Sequence, residues 1–133
     1  MGIGYLLDTH TFLWVTTEVA RHKLSDKSSK IIEDARVPLL VSAVTAYEIT
    51  NKYRLGKLAE YEYVVENYHD IVRELGADEL PITSRHAHLA GTIDWAHRDP
   101  FDRLLAAQTL TEGLTLITND PAFNSLDGIR LLW

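Results

Sequence analysis

The run Ile3-Gly4-Tyr5-Leu6-Leu7-Asp8 predicts the architecture of the chain. It is short, almost wholly apolar and ended by a carboxylate, which is typical of a strand buried on both faces of a parallel sheet. Similar β-rich runs occur at 37–41, 79–82, 114–118 and 129–132, and helical stretches separate most of them. This alternation predicts an α/β fold: a three-layer α/β/α sandwich whose mostly parallel central sheet has about five strands.

Helix signals fill the intervals between the strands. Ser25 and Ser42 are suitable N-cap residues and predict helices to about Ala35 and Tyr53. The most regular signal covers residues 60–75, where apolar residues recur at three- and four-residue steps on one face. It predicts an amphipathic helix whose apolar face packs on the core or forms a dimer surface.

Length and composition narrow the possible classes of protein. The 133 residues fit a single domain, 1–133, and the absence of cysteine excludes disulfides and thiolate metal sites. No apolar run is long enough to cross a membrane and no signal peptide is recognisable, so we expect a cytoplasmic protein. The net charge of -6 is unfavourable for a passive nucleic-acid-binding module, although bound divalent cations would offset part of it.

Four carboxylates occupy corresponding places in four separate segments. Asp8 and Asp120 follow predicted strands, Glu48 lies in the first turns of a helix that follows a strand, and Asp102 lies in the first turn of another helix. Because the carboxyl ends of strands in an open α/β sheet border one crevice, we expect these side chains to converge. Converging carboxylates repel one another, and hard divalent cations relieve that repulsion. The pattern therefore favours a metal-dependent enzyme.

Each carboxylate taken alone also has a structural explanation. Asp8 and Asp120 are suited to turns or N-caps, Glu48 can pair with Lys52 at i+4, and Asp102 favours the positive end of its helix. Caps alone do not easily explain why all four fall at one sheet edge. The six histidines, by contrast, show no zinc-binding spacing.

In order along the chain, these residues resemble those of the PIN-domain ribonucleases, and especially the VapC-type toxins of bacterial toxin–antitoxin pairs. The resemblance covers nearly the whole chain and rests on Leu-Leu-Asp8-Thr9, Tyr47-Glu48, Asp-Pro-Phe-Asp-Arg-Leu-Leu-Ala-Ala-Gln at 99–108, and Thr118-Asn119-Asp120. It implies that the four carboxylates bind one or two Mg2+ or Mn2+ ions. It also implies a homodimer and a cognate antitoxin protein.

The resemblance assigns further roles around the four carboxylates. Thr9, Thr118 and Asp99 are expected to be auxiliary residues beside the metal. Contacts with an RNA substrate are expected from basic residues near the site, which are Lys52, Arg54 and Arg103.

The leading hypothesis is therefore a metal-dependent endoribonuclease that hydrolyses phosphodiester bonds in RNA. One alternative is an inactive binding or scaffold domain whose carboxylates are only caps. Another is an aspartate-based phosphatase, but that chemistry requires a second aspartate two residues after the first, where this chain has His10. A change of stability on adding metal would separate the enzyme from the scaffold.

Overall fold

The central sheet is five-stranded in the computed structural model, which describes residues 4–133. Its order is β3-β2-β1-β4-β5, and each neighbouring pair is parallel. The strands are β1 (Tyr5–Leu7), β2 (Leu39–Ser42), β3 (Asp78–Leu80), β4 (Thr115–Ile117) and β5 (Leu131–Leu132). The predicted parallel sheet is confirmed; Ile3, placed in the first strand by the sequence, lies outside the described residues.

The helices cover both faces of this sheet. They are α1 (Thr9–Thr16), α2 (Asp26–Glu33), α3 (Ala43–Arg54), α4 (Glu62–Glu66), α5 (Tyr68–Glu74), α6 (Ser84–Thr92) and α7 (Pro100–Thr111). Short 3-10 segments at Glu18–Lys23, Ala59–Tyr61 and Pro121–Ser125 complete the connections. None of the helices in the described residues is long and apolar enough to span a membrane.

Successive residues of the inner strands point to opposite faces of the sheet, which builds two cores. Leu7 and Ile117 face the cluster that includes residues of α1, α4 and α5, whereas Leu6 and Leu116 face the cluster that includes residues of α7. All four side chains are fully buried. The sheet is therefore the middle layer of the predicted α/β/α sandwich.

The prediction of one helix over residues 60–75 is wrong in its continuity. The segment contains a 3-10 turn followed by α4 and α5, with a break at Asn67, whose φ and ψ are -120° and 24°. The Asn67 side-chain amide donates to the Tyr63 carbonyl at 2.9 Å, and the Asn67 N–H donates to the same carbonyl at 3.0 Å. The apolar face nevertheless packs inward, since Val64, Tyr68 and Ile71 are core residues.

Strand boundaries differ from the predicted ones where proline intervenes. β2 begins at Leu39 and not at Val37, because Pro38 has no N–H to donate, although its carbonyl accepts from the Tyr5 N–H at 2.9 Å. β3 ends at Leu80, directly before Pro81, two residues short of the predicted end at Ile82. β4 and β5 are likewise shorter than the runs at 114–118 and 129–132.

The strand order fixes where a site can form. The chain passes from β1 to β2 on one side, and β4 later joins the other side of β1, so the connections diverge between β1 and β4. Such a switch point leaves a crevice at the carboxyl ends of the strands. In register, Leu7 lies beside both Val41 and Ile117, so the residues after these three positions share that edge.

Candidate metal and active site

Asp8 lies at the carboxyl end of β1 and is also the N-cap of α1. One carboxylate oxygen accepts the Thr11 N–H at 2.8 Å, and the other accepts a short hydrogen bond from the Thr118 hydroxyl at the end of β4. The side chain is buried, and burial raises the pKa of Asp8 even though both of these hydrogen bonds lower it. The cap predicted for Asp8 is thus present together with a bridge across the switch point.

Glu48 enters the same region from α3, one and a half turns after the Ser42 cap. It is only 5% exposed. Its Oε1 accepts from the Thr9 hydroxyl at 2.5 Å, and its Oε2 lies 2.7 Å from the Lys52 ammonium. The i+4 ion pair therefore exists, but it joins a buried carboxylate and a half-buried lysine beside Asp8. Burial distinguishes it from the common solvated helix pair.

Asp102 lies in the first turn of α7, and its Oδ2 is 2.7 Å from His97 Nε2. An ionised carboxylate can only accept, so the imidazole Nε2 carries the proton in this contact. Burial raises the pKa of Asp102 to about 6; the His97 contact opposes that shift, and the negative charges of Asp99 and Glu48 add to it. The repulsion from Glu48 links the α7 carboxylate to the α3 carboxylate.

Asp120 is connected to Asp8 through Thr118. Its backbone N–H donates to the Thr118 hydroxyl oxygen at 3.0 Å, and that same hydroxyl donates to Asp8. The Asp120 carboxylate itself accepts the Ala122 N–H at 2.9 Å and caps the 3-10 turn that begins at Pro121. Asp120 is therefore linked to Asp8 through Thr118, while its side chain caps a local turn.

Together Asp8, Glu48, Asp102 and Asp120 form what we call the carboxylate edge. Contacts or charge interactions connect its members in sequence: Asp120 through Thr118 to Asp8, Thr9 to Glu48, and Glu48 to Asp102. Yet each carboxylate already accepts a hydrogen bond or forms an ion pair within the protein. In residues 4–133 no three histidine, aspartate or glutamate side chains are close enough together to hold a metal ion.

The donor chemistry of the edge nevertheless suits a hard divalent cation. It contains only carboxylate and hydroxyl oxygens, the ligand type that Mg2+ and Mn2+ prefer. Burial and mutual repulsion raise the pKa of Asp102, and a cation would relieve both costs. Binding would require Glu48, whose two oxygens contact Thr9 and Lys52, to exchange its Lys52 contact for the ion.

The auxiliary residues predicted from the sequence have defined positions. The hydroxyls of Thr9 and Thr118 are buried and each donates to one carboxylate of the edge. Asp99 is the N-cap of α7, where its Oδ1 accepts the N–H groups of Phe101 and Asp102 at 2.9 and 3.0 Å. Asp99 therefore orients the helix turn that carries Asp102.

The basic residues predicted to contact substrate differ in their surroundings. Lys52 lies at the edge, paired with Glu48. Arg54 is exposed at the end of α3 and donates to the Asn51 side chain at 2.7 Å, so it faces solvent two residues further along the helix. Both keep donor groups available to an anion.

Arg103 has a structural role in this fold, and its contact with substrate stays a prediction. Its guanidinium donates to four backbone carbonyls, one in the last turn of α6 and three in the connection to α7, at 2.7–2.8 Å. The carbonyls belong to Ala90, Ile93, Trp95 and His97. The rigid fork of donors suits this task, which uses four of its five N–H groups. Arg103 thus holds the loop that presents His97.

His97 is the residue at the site that sequence reasoning missed. It precedes Asp102 by five positions across a loop and a helix start, a separation that no helix or strand periodicity relates. His86 is equally invisible in the sequence but is structural: its Nδ1 accepts the Thr83 N–H at 3.0 Å, and its Nε2 contacts Glu112 at 2.8 Å. It closes the capping box of α6 and ties it to α7.

Comparison with known proteins identifies the class to which this fold and site belong. The PIN domain family matches residues 5–129, and the chain belongs to that family.

Individual relatives are more distant. Ribonuclease VapC16 of Mycobacterium tuberculosis is 37% identical over 65 residues, which is 49% of this chain and 45% of that protein, so the match spans about half of the relative's length. Two crystal structures share the fold. VapBC2 from Rickettsia felis, bound to a DNA fragment from its promoter, superposes with a TM-score of 0.70 at 16% identity, covering 98% of each chain. A member of the VapBC family of toxin–antitoxin systems from Mycobacterium tuberculosis gives 0.61 at 17% identity, covering 99% of this chain and 98% of that one.

Proposed function

We propose that this protein is a metal-dependent endoribonuclease and the toxin of a toxin–antitoxin pair. The observation that supports this most directly is the carboxylate edge, where buried or half-buried carboxylates after β1, in α3 and in α7 lie on neighbouring segments at the switch point of a PIN-domain sheet. Buried like charges are costly, so a protein retains them where they bind something. The partial match to a relative named as a ribonuclease supports the same reaction.

The proposed cofactor is Mg2+ or Mn2+, held as one or two ions. Asp8, Glu48 and Asp102 would hold one ion, and Asp120 would assist with a second. When bound, the metal supplies a nucleophile by lowering the pKa of water and offsets charge on the phosphate and on the leaving oxygen.

The residues of the chain have distinct tasks in this proposal. Thr9 and Thr118 orient the carboxylates of Glu48 and Asp8 through hydroxyl donors. His97, at 2.7 Å from Asp102, holds that side chain and can pass a proton at its Nε2. Lys52 gives up its contact with Glu48 when a cation binds, which frees its ammonium for the RNA backbone.

The test is cleavage of total cellular RNA by the purified protein with Mg2+ or Mn2+, against the same reaction in EDTA. Asp8→Asn should abolish cleavage and remain folded, because an asparagine oxygen can still accept the Thr11 N–H that caps α1. Asp127→Asn is the matched control, an exposed aspartate outside the edge, and it should cleave like the unmodified protein.

Three outcomes would contradict the proposal. Cleavage by a folded Asp8→Asn protein would remove Asp8 from the site, and cleavage in EDTA would remove the metal. Intact RNA in every reaction, with no binding of Mn2+ by calorimetry, would instead favour a catalytically inactive scaffold. The contacts that occupy each carboxylate in this structure are those such a scaffold would use.

A cognate antitoxin and a homodimer complete the proposal. A structural relative is described as a member of a toxin–antitoxin family, which supports a protein partner of that kind. Exposed apolar side chains support self-association, since Val19 is 87% and Leu55 is 53% exposed. Sedimentation of the purified chain tests the dimer, and a monomer at all concentrations would contradict it.

A further inference from the structure

A cavity opens beside the carboxylate edge, on the side of Asp120. Its volume is about 310 Å³, at the lower limit of pockets that hold small organic groups. It is lined by two asparagines, an aspartate, a threonine and three apolar residues, which are Asn119, Asn124, Asp120, Thr118, Leu131, Leu132 and Trp133. The cavity is thus continuous with the proposed active site through Thr118, which donates to Asp8.

Trp133 is one end of a row of rings that leads away from this cavity. Its indole meets Trp14 edge-on, with ring centroids 5.8 Å apart, and Trp14 in turn lies 5.9 Å from the His10 ring. The Lys23 ammonium lies 5.7 Å from the Trp14 centroid. Both tryptophans are partly buried, and Trp133 packs at the margin of the core.

We infer that the Trp133 face of this cavity is a stacking subsite for an unpaired RNA base next to the phosphate that is cut. This inference rests on the proposed function and adds to it where the substrate base lies. Aromatic faces stack on any base, and asparagine amides can both donate to and accept from base edges. Both kinds of residue line this cavity, and Asp120 is the carboxylate that lines it with them.

The surrounding charges favour RNA over a polypeptide segment. The row carries a cation at Lys23 and a ring at His10, two residues after Asp8, so a strand crossing it would meet positive or neutral groups before it reaches the carboxylates. The subsite therefore predicts a preference for single-stranded RNA with its bases present.

The experiment measures binding of short, fluorescein-labelled single-stranded RNA in EDTA, where cleavage does not interfere. A second RNA of equal length and charge lacks a base at each position. Trp133→Leu keeps apolar packing but removes the aromatic face, whereas Trp133→Phe keeps a ring. We expect Leu to weaken binding of the base-bearing RNA by about tenfold or more and Phe by less than about threefold. Binding of the abasic RNA should not change.

Matched controls separate stacking from folding. Tyr63→Leu removes a ring that is 69% exposed elsewhere, on α4, and should not alter RNA binding. Thermal unfolding checks each variant. If Trp133→Leu fails to fold, Trp14→Leu tests the same row of rings from α1.

The outcomes distinguish this inference from the proposed function. Normal binding by a folded Trp133→Leu protein, or an equal loss for abasic and base-bearing RNA, overturns the subsite. The same holds if the substitution weakens only binding of a polypeptide partner. Base-dependent binding through Trp133 without any cleavage in Mn2+ would support the subsite and contradict the nuclease. Cleavage by Trp133→Leu with an unchanged KM would support the nuclease and contradict the subsite.

Discussion

Asp102 and Arg103 are neighbours in the sequence, but they belong to two polar clusters of opposite character. Arg103 donates guanidinium N–H groups to four backbone carbonyls in the last turn of α6 and in the α6–α7 connection. Every charge-assisted bond there is therefore internal to the fold. Asp102 faces other carboxylates, and burial and repulsion raise its pKa to about 6. A buried charge whose bonds are satisfied internally stabilises structure, whereas buried charges that repel one another indicate a site for a ligand.

The sharpest test of this comparison sets a glutamate of the carboxylate edge against Glu112, whose contact with His86 only joins α6 to the end of α7. Glu48→Gln removes a charge from the carboxylate edge and should reduce metal-dependent RNA cleavage about a thousandfold, roughly 4 kcal/mol of activation free energy. Glu112→Gln weakens the contact with His86 and should cost about 1 kcal/mol of folding free energy, with cleavage per folded molecule unchanged. Steady-state kinetics and urea unfolding of both variants measure the two effects. Equal losses of activity would remove the distinction.

Removing the guanidinium should have the largest effect on stability. Arg103→Ala leaves the carbonyls of the α6–α7 connection without their donors, and we expect a loss of about 3 kcal/mol in the free energy of unfolding. Urea unfolding measures it, with Arg85→Ala, an exposed arginine of α6, as the control. A loss below about 1 kcal/mol would show that water replaces these bonds and that the connection does not depend on Arg103.

Neutralising a residue of the carboxylate edge should instead raise the free energy of unfolding. Without metal, Asp102→Asn removes repulsion with Glu48 and Asp99 and should stabilise the fold by up to about 1 kcal/mol at pH 7, since partial exposure screens the repulsion. Saturating Mn2+ should stabilise the unmodified protein and not the variant. Thermal unfolding with and without EDTA measures both. Destabilisation of the metal-free variant would mean that the His97 contact outweighs the repulsion.

The smallest predicted effect is a pH dependence of the metal-free protein. Because the folded-state pKa of Asp102 is raised by burial above its unfolded value of about 3.9, its stabilising contribution is complete below about pH 4. That contribution is lost as pH rises through about 6. Burial also raises the pKa of Asp8, which acts in the same direction. Urea unfolding from about pH 4 to about pH 7 should show a steeper fall in stability for the unmodified protein than for Asp102→Asn. Parallel curves would contradict the shift.

The predictability of the helices shows where local signals suffice. Asp99-Pro100 and Ser42 predict the starts of α7 and α3, and the structure has caps at both places, because a cap is a contact between near neighbours. The interruption at Asn67 was not predictable from periodicity, since the apolar face continues across it. There the backbone at Asn67 departs from helical φ and ψ, while its side chain and its N–H both donate to the Tyr63 carbonyl.

The carboxylate edge likewise has features that the sequence predicts and features that it does not. Strand-end positions allowed the sequence to predict Asp8 and Glu48 as members, because a parallel sheet brings its carboxyl ends together. Their individual contacts were outside that reasoning: Thr118 reaches Asp8 from 110 residues away, and His97 reaches Asp102 only through the loop that Arg103 holds.

The sequence by itself determined the order of strands and helices and the helix caps, because these follow from periodicity and from contacts between near neighbours. Only the tertiary structure decided which charges meet. It paired Glu48 with Lys52 and Thr9, turned Arg103 onto backbone carbonyls, and set Trp14 against Trp133. Side-chain orientation across packed elements depends on the register and packing of distant segments, which no local pattern encodes.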